Sequence, residues 1–206
     1  MSTADSLSGE PPSDYQEVLH WKITEKASHI LIMNLLAIPV AIVVGIVFFI
    51  FVRMFGKAPK MMWNGNETLS FLIGIIIVIA LHEFMHAVVM QIFGAKPKYG
   101  FWRKGLMFYA KAPGYAFKRN QYVIILLSPL VSLSVLACCG ILIQSGTSVV
   151  WLLALWAIIN ASAAGGDLWI TAIVLRYPSY AYVVDERDGM RMFLPQSDMK
   201  GKLNEM

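Results

Sequence analysis

The stretch LSFLIGIIIVIALHEFMHAVVMQIF, residues 69–93, decides what kind of fold this chain can adopt. It is long and apolar enough to cross a bilayer as a helix, which needs about 20 mainly apolar residues. It also contains two histidines and a glutamate, and ionisable side chains at membrane depth are costly and normally mark a site. The stretch therefore predicts both a membrane span and the position of a functional centre.

The composition of the whole chain agrees with a membrane protein. Hydrophobic residues make up 57% of the 206 residues and charged residues 15%, whereas soluble domains carry about 25% charged residues. Residues 30–52, 122–143 and 149–175 also pass the length test for a span. With residues 69–93, they predict an all-α membrane protein with four transmembrane helices. The adjacent Cys138 and Cys139 lie inside an apolar run and predict packing residues, without a disulfide framework.

The basic residues predict the orientation of the chain. Fourteen of the seventeen Lys and Arg lie in the N-terminal tail, in residues 95–121 and in the C-terminal tail. By the positive-inside rule these segments share the cytoplasmic side of the cell membrane, so the second and fourth spans run parallel. The net charge of +4 is modest, and basic residues beside apolar runs argue against nucleic-acid binding.

The segments outside the spans are short. In residues 1–29 we predict a disordered tail up to residue 14 and a juxtamembrane helix over residues 15–29. Residues 30–175 are predicted to form a membrane-embedded domain and residues 176–206 a cytoplasmic tail. Aromatic-rich segments at 98–102 and 106–111 predict a β-hairpin at the membrane surface, whose basic residues either contact anionic lipid or only set topology. Segments 180–184 and 190–194, around Asp188-Gly189, predict a second small hairpin.

Residues 82–86, HEFMH, match the pattern H-E-x-x-H. On a helix, His82 and His86 project from one face and can bind one zinc ion. Glu83 lies beside them, close enough to act on water at the metal without being a ligand. The alternative is a pair of core histidines hydrogen-bonded to neighbouring helices. Zinc is the metal that these ligands favour, although iron or cobalt would fit similar ones.

Catalytic zinc needs a third protein ligand, and Asp167 is the candidate. At about 1.5 Å rise per residue, His86 and Asp167 lie roughly 26 and 27 Å from the outer face of two parallel spans. Cys138, in the antiparallel third span, fails the same test of depth. Asn160, two turns before Asp167 on nearly the same face, binds substrate or forms a plain interhelical hydrogen bond.

Small residues and a proline lie near these candidates. Gly165 and Gly166 precede Asp167, where they either let helices pack closely or let the backbone bend toward a metal. Pro129 is expected to kink the third span, because proline removes one backbone hydrogen bond of a helix. The sequence gives no reason to assign Ser128-Pro129 a chemical role.

The motif HEFMH, the stretch NASAAGGD at residues 160–167 and the pair Ser128-Pro129 together resemble a known family. It comprises small multi-pass membrane proteins described as zincin peptidases, distant relatives of the site-2 intramembrane zinc metalloproteases. The resemblance covers about residues 69–175, and HEFMH is its specific part. It implies zinc (Zn2+) as the cofactor, with His82, His86 and Asp167 as its ligands and Glu83 as the catalytic base.

The activity that the resemblance implies is hydrolysis of peptide bonds in membrane-embedded polypeptides, near the cytoplasmic face of the bilayer. The hairpin at residues 98–111 would offer an edge strand to an unwound substrate segment. Two other classes of function remain open. A membrane zinc transporter can use the same motif to bind a passing ion, and a catalytically inactive scaffold can hold zinc without admitting substrate.

Overall fold

The computed structural model of the chain describes residues 9–57, 65–102, 107–186 and 189–198. Most of the described chain is helical. The α-helices of the described residues are α1 (Ala27–Phe51), α2 (Gly65–Ile92), α3 (Arg119–Ile143), α4 (Val149–Ala163) and α5 (Gly165–Val174). α1, α2 and α3 are each long and apolar enough to cross a membrane, and α4 with α5 makes a fourth candidate if the pair counts as one span. The described chain is therefore compatible with a membrane protein of three or four spans.

Apolar side chains cover the outward faces of the long helices. Leu31 on α1 is 58% exposed, Ile76 on α2 67% and Leu136 on α3 61%. Soluble proteins rarely leave apolar surface of this extent in water. Such helices are suited to the hydrocarbon interior of a bilayer. Apolar side chains can be exposed there, and each helix satisfies its own backbone hydrogen bonds.

The predicted fourth span, residues 149–175, is not one straight helix. α4 ends at Ala163 and α5 begins at Gly165, with a bend of 41° between them. Glycine is a poor helix former, so the run Ala-Ala-Gly-Gly at 163–166 is a weak point in the helix. Gly165 lies against the backbone of α1 near Met33 and Ala37. The small residues thus serve both predicted purposes, close packing and a bend.

Two strands form the predicted hairpin between α2 and α3. β2 (Lys98–Trp102) pairs antiparallel with β3 (Met107–Lys111), and Tyr99 lies opposite Ala110. The prediction of a hairpin here is confirmed, while the connecting residues 103–106 lie outside the described residues. β3 packs against α2, so this hairpin lies against the helix that carries HEFMH.

The remaining strands form one four-stranded antiparallel sheet. They are β1 (Tyr15–Lys22), β4 (Ala116–Lys118), β5 (Tyr182–Glu186) and β6 (Gly189–Pro195), in the order β1-β6-β5-β4. β5 and β6 confirm the predicted second hairpin, and residues 187–188 of its turn lie outside the described part. The class is therefore mainly α with a small antiparallel sheet, whereas the sequence predicted an all-α fold with small β-hairpins.

The predicted juxtamembrane helix at residues 15–29 is wrong for most of its length. Residues 15–22 form β1, which pairs with β6 from the opposite end of the chain. A short segment has no clear period of its own, and here its strand partner, more than 160 residues away, decides its conformation. Of the predicted disordered tail, residues 1–8 lie outside the described chain, and the Gly9 carbonyl accepts a hydrogen bond from the Ala116 amide.

The sheet packs on one end of the helices and shares a core with them. Trp21, Phe117 and Met192 from the strands lie in one buried cluster with Tyr122 and Ile125 of α3. Because this cluster joins β1 and β6 to the helices, residues 15–22 and 189–195 are part of the fold. Within the predicted cytoplasmic tail, residues 182–186 and 189–195 form two strands of this sheet.

Candidate metal centre

The structure brings the three predicted ligands together. His82 Nε2 lies 3.1 Å from Asp167 Oδ2, and His86 Nε2 lies 3.5 Å from the same oxygen. One ligand atom from each residue lies within 4.8 Å of the others, close enough to hold one metal ion. Both histidines are buried. Their arrangement follows from α2, because residues four apart on a helix share a face.

The bend between α4 and α5 gives Asp167 its place. Asp167 lies in the first turn of α5, two residues after the helix begins at Gly165. α5 packs against α1 and α3, which turns its first turn toward α2. The carboxylate therefore reaches the histidines from a different helix, at the level that helical rise predicts.

Asn160 on α4 holds the ring of His82. Its Nδ2 donates to the Pro129 carbonyl at 3.1 Å, and its Oδ1 lies 2.9 Å from His82 Nδ1. Since a carbonyl can only accept, this places the amide oxygen toward His82, and Nδ1 must carry the proton. The Nε2 lone pair is then left for a metal ion.

His86 is held in the same way by a backbone group. Its Nδ1 lies 2.9 Å from the Ile125 carbonyl oxygen of α3, which can only accept a hydrogen bond. His86 Nδ1 therefore carries the proton, and Nε2 faces Asp167. Metal-binding histidines commonly fix their second nitrogen in this manner.

The structure does not favour the predicted contact between Asn160 and substrate. Asn160 is completely buried, and its amide is engaged with His82 and Pro129. Its position instead supports orientation of a ligand, and the interhelical hydrogen bond was the alternative that the sequence left open. Cys138 packs against a separate buried apolar cluster that includes Phe48, Val52 and Ile141, and Cys139 is exposed; both are free thiols.

Glu83 faces the hairpin. Its Oε2 accepts a hydrogen bond of 3.0 Å from the Ala110 amide of β3. Glu83 lies outside the group of three ligand atoms that converge. Glu83 lines the same cavity as the three ligand candidates, and a half-buried carboxylate in such a place can accept a proton from water.

A cavity of about 180 Å³ opens onto these side chains. The helices, the hairpin and the sheet all contribute to its wall, which includes His82, Glu83, His86, Tyr109, Ala110, Asp167, Trp21, Asp185 and Gly189. The cavity has both polar and apolar walls, as binding sites for organic molecules do. The metal centre is thus reachable from a space that the sheet helps to enclose.

Sequence reasoning missed two polar residues of this wall, Tyr122 and Asp185. The Tyr122 hydroxyl donates to Asp185 Oδ1 at 2.8 Å. Burial raises the pKa of the Asp185 carboxyl to about 7. The sequence did offer one signal, an aspartate in the largely apolar strand YVVDE at residues 182–186. Its partner Tyr122 on α3 could not be predicted, because only the folded sheet brings the two residues together.

The donor set fits zinc. Two imidazole nitrogens and one carboxylate oxygen are ligands that zinc accepts, and three protein ligands leave a further position for water or substrate. The two Nδ1 contacts supply the hydrogen bonds that accompany such ligands in known sites. In chemical class the chain is a mainly helical, membrane-compatible protein in which two buried histidines and a partly buried aspartate could hold one metal ion.

Comparison with known proteins places the chain more narrowly. Residues 75–182, just over half of its length, match the family described as "Putative zincin peptidase", and the chain belongs to this family. The matched region runs from α2 through the hairpin to the start of β5, so it includes every residue of the metal centre. No curated protein and no solved structure matches the chain. Family membership indicates a zinc metallopeptidase.

Proposed function

We propose that this protein is a zinc-dependent intramembrane endopeptidase of the cell membrane, similar to site-2 proteases. The observation that carries the proposal is the convergence of His82, His86 and Asp167 beside Glu83, inside helices apolar enough to span a membrane. The substrate would be a membrane-embedded polypeptide, cut near the cytoplasmic face on which the basic residues place both termini.

His82, His86 and Asp167 would hold the zinc ion. Bound zinc would supply Lewis acidity that acidifies water and polarises the scissile carbonyl. Glu83 takes the proton from the attacking water and passes it to the nitrogen of the leaving amine, so that hydrolysis yields a carboxylate and an amine. The hydrogen bond from the Ala110 amide holds the Glu83 carboxylate at the cavity wall before the proton transfer.

The hairpin is suited to present the substrate. A transmembrane helix hides its carbonyls in its own hydrogen bonds, so a substrate must unwind before it is cut. β3 lies between its partner β2 and the cavity, and the Ala110 amide points away from β2 toward Glu83. An extended substrate segment can add to such an edge through main-chain hydrogen bonds.

The decisive experiment compares wild type with Glu83→Gln, purified in detergent. Zinc per chain is measured first, and each protein is then incubated with a panel of single-span membrane substrates whose products are identified by mass spectrometry. Glu83→Gln should bind zinc as wild type does and cleave about 10²- to 10⁴-fold more slowly, the range that a general acid-base residue contributes. Glu67→Gln, in the first turn of the same helix, is the matched control and should cleave normally.

Other outcomes point elsewhere. Equal cleavage by wild type and Glu83→Gln would refute the assignment of the base. Zinc binding without cleavage by either protein would favour the transporter or the scaffold, which zinc flux into proteoliposomes separates. If wild type bound no zinc, the proposed ligand set would fall.

A further inference from the structure

Pro129 lies fully buried inside the helix α3. In an α-helix the N–H of each residue bonds to the carbonyl four residues before it, and proline has no N–H. The carbonyl of Ile125 therefore lacks its helical partner. Ile125 is only 1% exposed, and an unpaired carbonyl at such a place is costly.

The freed carbonyl is occupied by a metal-ligand candidate. His86 Nδ1 lies 2.9 Å from the Ile125 oxygen, and the Ser128 hydroxyl donates to the same oxygen at 2.8 Å. With an amide at position 129, that oxygen would already hold its helical bond. A carbonyl oxygen has two lone pairs, and His86 and Ser128 use both, so the missing N–H at position 129 leaves room for the bond to His86.

The carbonyl of Pro129 itself serves the other histidine. It accepts the Asn160 amide, whose oxygen in turn holds His82 Nδ1. Pro129 therefore affects both imidazoles. Its missing N–H leaves the Ile125 carbonyl to His86, and its own carbonyl holds the Asn160 amide that contacts His82. All the groups in this path are buried, where each hydrogen bond is stronger than in water.

We infer that Pro129 is a positioning residue, which fixes the His86 ring with Nε2 toward the metal by freeing the Ile125 carbonyl. The inference rests on the proposed function, because it gives His86 the role of a ligand. It assigns the pair Ser128-Pro129 a role in the site through backbone chemistry.

The test is zinc affinity of Pro129→Ala in detergent, measured by competition with a chelator. Alanine restores an N–H that competes for the Ile125 carbonyl, so zinc affinity should fall about tenfold or more, as when a partner of a ligand is lost. Pro39→Ala makes the same change inside α1, where the proline is exposed, and should leave zinc affinity unchanged.

A second readout separates positioning from general damage. Nitrogen-15 histidine spectra report how slowly the Nδ1 proton of each ring exchanges with solvent. Pro129→Ala keeps the carbonyl at position 129, so it should speed exchange at His86 and leave His82 unchanged. Asn160→Leu should do the reverse. General loosening of the helices would affect both rings in both variants.

Wild-type zinc affinity together with unchanged His86 exchange in Pro129→Ala would overturn the inference. If that variant does not fold, the wild-type spectrum decides: a slowly exchanging Nδ1 proton on His86 is expected, and a rapidly exchanging one contradicts the contact. If wild type binds no zinc, the proposed function fails, while the exchange measurement still tests whether Pro129 frees the carbonyl that His86 uses.

Discussion

The two halves of the candidate site are built by opposite means. α2 supplies His82, Glu83 and His86 from one continuous helix, whose regular spacing alone places both imidazoles on one face. α4 and α5 supply Asn160 and Asp167 from either side of a 41° bend. Local geometry therefore fixes the first half, whereas the second half depends on where a bent pair of helices packs.

Substitutions in the two halves should differ in how strongly they displace the ligands. A change on the far face of α2 leaves the spacing of its histidines intact. The carboxylate of Asp167 is instead placed through the contact of Gly165 with α1, so a residue that never touches the metal can displace a ligand. Variants in each half can therefore show whether helix spacing places the histidines and packing places Asp167.

Removing a ligand from either half should have the largest effect. Asp167→Ala removes the ligand of the bent pair, and His86→Ala removes one from α2. We expect each variant to lose zinc affinity by at least about a hundredfold, because loss of a ligand's hydrogen-bond partner alone costs about 10–100-fold. Zinc content after dialysis of the purified proteins measures this. Retention of one zinc per chain by Asp167→Ala would show that the bent pair contributes no ligand.

Adding a methyl group at Gly165 should disturb the bent half. A Cβ there would lie 3.1 Å from the Ala37 nitrogen and 3.2 Å from the Met33 carbonyl oxygen, both backbone atoms of α1. Gly165→Ala should therefore cost about 1–3 kcal/mol of stability, as overpacking does.

Gly166→Ala is the matched control for that prediction. Its Cβ would meet the terminal methyl of Met33, which can rotate away, so its stability should change by less than about 1 kcal/mol. Thermal unfolding in detergent compares the two variants. Equal losses would show that contact with the α1 backbone does not set the position of the bend.

Removing the hydrogen bond to Glu83 should have a smaller effect. It should slow cleavage through Glu83 of α2 without changing the zinc ligands. Ala110→Pro deletes an N–H that faces Glu83 and not the partner strand, a position where a strand tolerates proline. A hydrogen bond to a charged group contributes about 1.5–3 kcal/mol, so cleavage should slow about tenfold or more while zinc binding is unchanged. Ala110→Ser keeps the N–H and should cleave normally; equal slowing in both would deny the bond a role.

The smallest expected effect is a pH dependence from the sheet side of the cavity. The pKa of Asp185 is raised to about 7 by burial, while in the unfolded chain it returns to about 4. The folded state then binds one proton more than the unfolded state between these values, so stability falls as pH rises from about 4 to about 7.

The asparagine side chain of Asp185→Asn cannot ionise, so this variant should not lose stability as pH rises. Its amide oxygen still accepts the hydrogen bond from Tyr122. For each pH unit within this window the variant should gain about 1 kcal/mol on wild type, which corresponds to about 2–4 °C in melting temperature for a chain of this size. Thermal unfolding at several pH values measures the difference. A difference that stays constant with pH would contradict the raised pKa.

Much of the fold was accessible from the sequence because its signals are local. Apolar length marked residues 30–52, 69–93 and 122–143, which match α1, α2 and α3. Alternating aromatic residues and turn signals marked both hairpins. In the site, regular helix spacing placed both histidines of HEFMH on one face. Helical rise also predicted that Asp167 lies near them, although the span bends just before it.

The rest depended on partners that are distant along the chain. Residues 15–22 became a strand because β6 pairs with them, and no local period reveals a partner at the other end of a chain. The same sheet brings Asp185 to the cavity wall and to Tyr122. The role of Asn160 also followed from packing, since its amide meets His82 and Pro129 on two other helices.

By itself, the sequence determined the apolar spans and the pair of histidines with Glu83 between them. These follow from hydrophobic length and from the 3.6-residue period of a helix, which are properties of single segments. Only the tertiary structure decided the bend before Asp167, the sheet that closes the cavity and the carbonyls that hold both rings. Each of these depends on contacts between segments, whose energies arise only once the helices and strands have packed together.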